Sequence, residues 1–142
     1  MSAAHWACVN QQKEILKAVR PDIIVASSWG GAVALRCLEL GYYSGPSILL
    51  APAVQVRGWW SWIKPRQLFS LPQQAADKCM VLCGDADKIV CVRGVEIMCK
   101  RNGIKRFQKI SGGDHRLNTS LIQTDRLREL IVGMLGSNLS SD

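Results

Sequence analysis

Short apolar runs alternate along this chain with longer segments in which apolar positions recur every three or four residues. Short runs bounded by glycine, proline or aspartate are typical of buried strands, and the longer periodic segments are typical of helices packed on a sheet. The pattern predicts strands near residues 22–27, 47–51, 79–84 and 106–110, and helices near residues 9–19, 30–40, 91–102 and 119–135. Because strands and helices alternate, we expect right-handed crossovers and an α/β fold with a parallel sheet of about four strands flanked by helices.

Length, composition and charge narrow the class of protein. A chain of 142 residues with 48% hydrophobic content is suited to one compact domain, residues 1–142. It contains no apolar run long enough for a membrane span. The net charge of +7 comes from dispersed basic residues without a nucleic-acid-binding motif. We therefore expect a solvated basic surface rather than a nucleic-acid partner, with attraction of anionic partners as the alternative.

The first candidate catalytic residue is a serine between a predicted strand and a predicted helix. Residues 22–35 run from an apolar strand through Ser28 into a helix of small residues. A sharp turn that exposes a serine requires small residues two positions before and after it, and Ala26 and Gly30 meet that requirement. Gly31 would let the helix pack close to the sheet. Alone, this is a weak signal, because many strand-to-helix turns use the same residues without chemistry.

Two later loops carry an acid and a histidine. A predicted strand ends at Gly84 and leads into a loop with Asp85 and Asp87. The next predicted strand leads into a Gly-Gly-Asp-His loop that presents His115. Reactive groups of parallel α/β sheets gather at the carboxyl ends of the strands, so serine, acid and histidine are expected at one edge. The residues alone leave the choice between the two aspartates open.

Four segments in this order resemble the α/β-hydrolase superfamily, specifically its small, nearly lidless, esterase-like serine hydrolases. The resemblance extends over roughly residues 21–135 and rests on Ala-Ser-Ser-Trp-Gly-Gly at 26–31, Leu-Leu-Ala-Pro-Ala at 49–53, Cys-Gly-Asp-Ala-Asp-Lys-Ile-Val at 83–90 and Gly-Gly-Asp-His-Arg-Leu at 112–117. It implies a catalytic triad with Ser28 as nucleophile, Asp87 as orienting acid and His115 as general base. Asp87 is preferred to Asp85 because the family pattern has the acid three residues after a glycine and three before a hydrophobic residue. The implied function is hydrolysis of small-molecule carboxylic esters or thioesters through an acyl-enzyme, without cofactor or metal.

The resemblance also implies an incomplete oxyanion hole. The backbone N–H of Trp29, the residue after the nucleophile, would be one donor. In the family the second donor comes from a loop after an earlier strand, but only 21 residues precede Asp22 and no glycine precedes Gly30. We therefore expect an N-terminally shortened domain and a weak enzyme, since loss of one such donor costs about 10²–10³-fold in a serine protease. The alternative is a truncated, non-catalytic relative that acts as a binding or interaction module.

A shortened sheet has a further consequence. Without the family's earlier strands, residues 23–25 would lie on an exposed, apolar sheet edge. Such an edge favours pairing with another chain. We therefore expect self-association through this edge.

Residues 55–76 occupy the position where the family inserts lids. They contain Trp59, Trp60 and Trp62 within four positions, next to basic residues and Pro65. These tryptophans are candidates for a lid-like connector that lines an apolar substrate pocket. The alternative is a connector whose indoles cover a face of the sheet.

The cysteines and the remaining histidine indicate no further chemistry. Of the six cysteines, Cys37, Cys79, Cys83, Cys91 and Cys99 fall on predicted strands and helices, which favours reduced hydrophobic fillers over disulfides. No Cys-x-x-Cys occurs and only two histidines exist, so no zinc site is expected. The N-terminus has no signal-like pattern, which predicts a cytoplasmic protein. His5 is expected to be solvated, Asp114 to cap a turn or helix, and Asp85 to accept backbone N–H groups.

Overall fold

The computed structural model describes residues 2–54 and 68–139. The strands are β1 (Ile24–Ser27), β2 (Ser47–Leu50), β3 (Cys79–Gly84) and β4 (Arg106–Ile110). The helices are α1 (Ala3–Val19), α2 (Ser28–Glu39), α3 (Gln73–Asp77), α4 (Val92–Arg101) and α5 (Arg126–Leu139), with a π-helix at Asn118–Ile122.

The four strands form one parallel sheet in the order β1-β2-β3-β4. Ile24 pairs with Ser47, Ile48 with Met80, and Val81 with Phe107. Each strand therefore lies beside the strand that precedes it in the chain, and β1 and β4 are the sheet edges within the described residues. This arrangement confirms the predicted α/β fold class.

The two central strands hold the core. All residues of β2 and β3 are buried. Because side chains alternate along a strand, Leu49 and Val81 pack on one face of the sheet, whereas Ile48 and Leu82 pack on the other. Helices cover both faces, which explains why these strands, apart from Ser47 at the start of β2, are continuous apolar runs in the sequence.

Two of the predicted helices differ from the observed ones by more than two residues at one end. Helix α1 begins at Ala3, because the Ser2 side chain accepts a hydrogen bond from the His5 N–H at 3.3 Å and caps the first turn. His5 is fully buried, so the expectation of a solvated His5 is wrong. The helix predicted at 119–135 is divided into the π-helix and α5.

The predicted lid-like connector at 55–76 falls partly outside the described residues. Residues 55–67, which include Trp59, Trp60 and Trp62, lie outside the described residues. The role of these three tryptophans as pocket residues stays a prediction. The rest of the segment runs past the buried Phe69, whose ring centroid lies 4.7 Å from Cζ of Arg36, into α3.

No helix within residues 2–54 and 68–139 has the length and apolar character needed to cross a bilayer. The cytoplasmic location stays a prediction.

Candidate active site

Ser28 lies at the corner between β1 and α2. Its φ is +52°, a left-handed conformation that is uncommon for a residue other than glycine. The Ser28 carbonyl accepts a hydrogen bond from the Ala53 N–H at 2.9 Å, which ties the corner to the loop after β2. A Cβ atom on Gly31 would lie 2.9 Å from Cα of Pro52, so the close approach at Gly31, which was predicted toward the sheet, is made with the loop after β2.

The loops after β3 and β4 are in direct backbone contact. A Cβ atom on Gly84 would lie 2.0 Å from the carbonyl oxygen of Gly113, so only glycine fits there. The Ala86 N–H donates to that oxygen at 3.1 Å, and the Asp85 N–H donates to the Ile110 carbonyl at 3.0 Å. These contacts fix the acid loop against the histidine loop.

The two aspartates of the acid loop have different partners. Asp85 Oδ1 accepts from the Gly112 N–H at 2.7 Å, as expected of a backbone acceptor. Asp87 is 2% exposed, and its Oδ1 accepts from the N–H groups of Ile89 and Val90 at 2.7 and 2.8 Å. Asp87 Oδ2 lies 2.8 Å from Nδ1 of His115. Asp85 therefore joins the two loops, whereas Asp87 contacts His115.

Ser28, His115 and Asp87 form one hydrogen-bonded series. Nε2 of His115 lies 2.8 Å from Oγ of Ser28, while its Nδ1 faces Asp87. The Leu117 N–H donates to Asp114 Oδ1 at 2.7 Å, which closes the turn after the histidine and confirms the predicted capping role of Asp114. The three side chains follow the carboxyl ends of three different strands: Ser28 starts α2 directly after β1, whereas Asp87 and His115 lie in the loops after β3 and β4.

Comparison with solved structures identifies the architecture. The chain is similar to a predicted CIB-like hydrolase from Thermoplasma acidophilum, with 16% identity, a TM-score of 0.62 and coverage of 93% of this chain and 60% of that one. It is also similar to a monoacylglycerol lipase from Paleococcus ferrophilus, with 13% identity, a TM-score of 0.68 and coverage of 94% and 75%. A third similar structure is a lidless α/β serine hydrolase from Xanthomonas campestris, with 22% identity, a TM-score of 0.59 and coverage of 88% and 52%. The chain has the α/β-hydrolase fold.

The chain resembles these proteins in fold but not closely in sequence. No protein-family model matches the chain, and no curated protein sequence matches it. The chain spans 60% of the length of the Thermoplasma structure and 52% of the Xanthomonas structure. That it is a shortened domain of this fold stays a prediction.

The corner of this α/β-hydrolase fold also presents backbone donors. Trp29 lies in the first turn of α2, where N–H groups have no partner within the helix and the helix dipole favours negative charge. The Trp29 side chain is 47% exposed. The role of the Trp29 N–H as an oxyanion donor stays a prediction.

His5 contacts Trp29, the residue after Ser28. Its ring packs edge-on against the Trp29 indole, with 5.2 Å between ring centroids. Neither ring nitrogen has a hydrogen-bond partner among the described residues. Burial lowers the pKa of His5, and the charges of Arg36 and of the N-terminus lower it further. Sequence reasoning missed this residue, although Ser2 was a recognisable helix cap.

Gly30 differs from its expected role. A Cβ atom at Gly30 would meet no described atom within 4 Å. The expectation that sterics require a small residue at this position is therefore wrong for the described part of the chain, because the space beside Gly30 is an open groove along β1.

The described residues contain no cluster of three or more His, Cys, Asp or Glu side chains that could hold a metal ion.

Proposed function

We propose that the chain is a serine hydrolase that cleaves carboxylic esters or thioesters through an acyl-enzyme. The observation that supports this most directly is the continuous series of 2.8 Å contacts from Ser28 Oγ through His115 to Asp87. A serine hydroxyl is a poor nucleophile at neutral pH, so it becomes reactive only with a base within hydrogen-bond distance. Asp85, tied to Gly112, is not part of this proposal.

In the first half of the reaction, His115 accepts the Ser28 proton at Nε2 while Oγ attacks the carbonyl carbon. The buried Asp87 accepts from Nδ1–H, which keeps the imidazole in the tautomer whose Nε2 is a base and stabilises the imidazolium. The Trp29 N–H stabilises the oxyanion of the tetrahedral intermediate. The proton on Nε2 then passes to the leaving alcohol or thiol, and Ser28 carries the acyl group.

In the second half, water takes the place of the alcohol or thiol. His115 removes a proton from the water as it attacks the acyl-enzyme, and returns it to Ser28 Oγ as the acid leaves. With Trp29 as the one assigned oxyanion donor, we expect turnover about 10²–10³-fold below that of an enzyme with two donors.

The proposed substrates are small molecules with an activated acyl carbon. The similar Paleococcus protein is a monoacylglycerol lipase, and a monoacylglycerol is a carboxylic ester. This supports the ester class without specifying the acyl group. No residue of the proposed mechanism requires a cofactor.

Labelling with a fluorophosphonate probe tests the proposal. Wild-type protein should be labelled, and Ser28→Ala and His115→Ala should each abolish labelling. Ser27→Ala is a matched control, because Ser27 precedes the nucleophile and its side chain makes no capping hydrogen bond. Absence of labelling in folded wild-type protein would reject the hydrolase and favour the alternative of a non-catalytic binding module.

A further inference from the structure

The outer edge of β1 presents main-chain groups that no described strand pairs. The Ile24 N–H donates to the Pro46 carbonyl at 3.1 Å, so Ile24 and Ala26 direct their main-chain groups toward β2. Because these directions alternate along a strand, the N–H and C=O of Val25 and the N–H of Ser27 point away from the sheet. Within the described residues, β1 is the edge strand on this side of the sheet.

An apolar groove of about 640 Å³ runs along this edge. Helix α1, strand β1 and helix α2 line it, and none of the lining residues is charged. Its large apolar side chains are exposed to a considerable degree: Ile15 is 43%, Val19 is 66% and Val25 is 41% exposed. A lipid chain would leave the main-chain groups of Val25 without partners, whereas an extended peptide segment would satisfy them.

The opposite edge of the sheet, β4, carries charged side chains. The Ile110 carbonyl accepts from the Asp85 N–H, so Ile110 faces β3 and Lys109 directs its main-chain groups outward. Lys105, Arg106 and Lys109 are all exposed on or beside β4. Charged side chains on an edge strand oppose further pairing. Two β4 edges would bring like charges together, and a β4 edge against β1 would bring Lys109 into an uncharged groove.

From this asymmetry we infer that β1 is a dimerisation edge, at which β1 of one copy pairs antiparallel with β1 of a second copy. A two-fold axis through Val25 lets the outward N–H and C=O groups of each copy bond to those of the other. Each copy thereby covers part of the apolar groove of the other. The contact uses the same surface on both chains, so assembly ends at two copies, with the two sheets joined edge to edge.

Sedimentation velocity across nanomolar to high-micromolar protein tests this dimer. Val25→Pro removes the outward N–H but no hydrogen bond to β2, and edge strands tolerate proline at such positions. Two intermolecular hydrogen bonds are lost per dimer, so we expect self-association to weaken about 100-fold. Lys109→Pro, the equivalent change on the β4 edge, should leave self-association unchanged.

Ile15→Glu gives an independent measure, since it changes the groove wall on α1 and leaves the sequence of every strand unchanged. It should weaken the dimer while circular dichroism stays that of the wild type, and it decides the question if Val25→Pro fails to fold. A wild-type monomer at all concentrations would overturn the inference. Three other results would also overturn it. These are assemblies that grow larger with concentration, dimerisation of Ile15→Glu as strong as that of the wild type, and a one-to-one complex with a different chain in native mass spectrometry.

Discussion

Ser28 has a backbone conformation that its side chain disfavours, and its neighbours hold it there. A left-handed non-glycine residue costs about 1–3 kcal/mol, and the φ of Ser28 is +52°. The Ser28 carbonyl is bonded to Ala53 and its Oγ contacts His115. Both restraints depend on other loops, so the serine is presented only when the sheet has assembled.

Asp87→Asn tests the role of the acid at this scale. The amide oxygen can still accept from Ile89 and Val90, which directs the amide N–H₂ toward Nδ1 of His115. Nδ1 must then accept, and the proton moves to Nε2, where it blocks removal of the Ser28 proton. We expect kcat for a nitrophenyl ester to fall about 10⁴-fold, as in a serine protease with the same change.

Asp85→Asn is the matched control. Its amide oxygen can still accept from the Gly112 N–H, so the contact between the two loops is retained. A similar loss of kcat in both variants would contradict the assignment of the acid to Asp87.

The residues of the site could be predicted to different degrees. Ser28 and His115 each have distinctive neighbours in the sequence. Asp85 and Asp87, in contrast, were separable only through the family pattern, because both follow the same strand. The burial of His5 was missed because it depends on contact with Trp29, and no local pattern encodes a contact between two helices.

At the scale of elements, the loops after β3 and β4 approach each other closely at Gly84 and Gly113. Gly84→Ala would direct a methyl group to 2.0 Å from the Gly113 carbonyl oxygen. Backbone on both sides cannot move without breaking the bonds of Asp85 and Ala86. We expect a loss of about 2–4 kcal/mol in the free energy of unfolding, within the range of severe single substitutions, measured by urea denaturation.

Gly133→Ala serves as the opposite case. Gly133 lies within α5, and a Cβ atom there would meet no described atom within 4 Å. The same substitution should therefore stabilise the protein by about 0.5–1 kcal/mol. Equal effects of the two substitutions would show that the close contact at Gly84 does not limit stability.

The strands were predicted well, and the helices less so, for a physical reason. Buried strands such as β2 and β3 are apolar apart from Ser47, so composition alone locates them. Helix α3 has only five residues, too few for a periodic signal. The π-helix that starts at Asn118 follows a left-handed Leu117, a local bend that apolar spacing does not record.

At the scale of the whole molecule, the core holds neutral thiols. Burial raises the pKa of Cys37 and of Cys79 to about 11 and that of Cys99 to about 12, from 9.0. Above pH 9 the unfolded chain loses these protons first, so it binds fewer protons than the folded chain. The free energy of unfolding must then fall as pH rises from 9 toward 11.

Urea denaturation at several alkaline pH values measures this decline. Cys99→Ala should unfold more easily at pH 7, because it leaves a cavity, but should lose less stability between pH 9 and 11. An unchanged pH slope in this variant would contradict the contribution of Cys99.

The sequential order of the sheet also has a consequence for biosynthesis. Ser28 and His115 are 87 positions apart, and each strand pairs with the strand made before it. At about 5–20 residues per second on the ribosome, the histidine is polymerised roughly 4–17 s after the serine. The nascent chain can thus assemble its sheet from the N-terminus onward before Ser28 has its contact with His115, and the proposed hydrolase would gain its base only after β4 has been made.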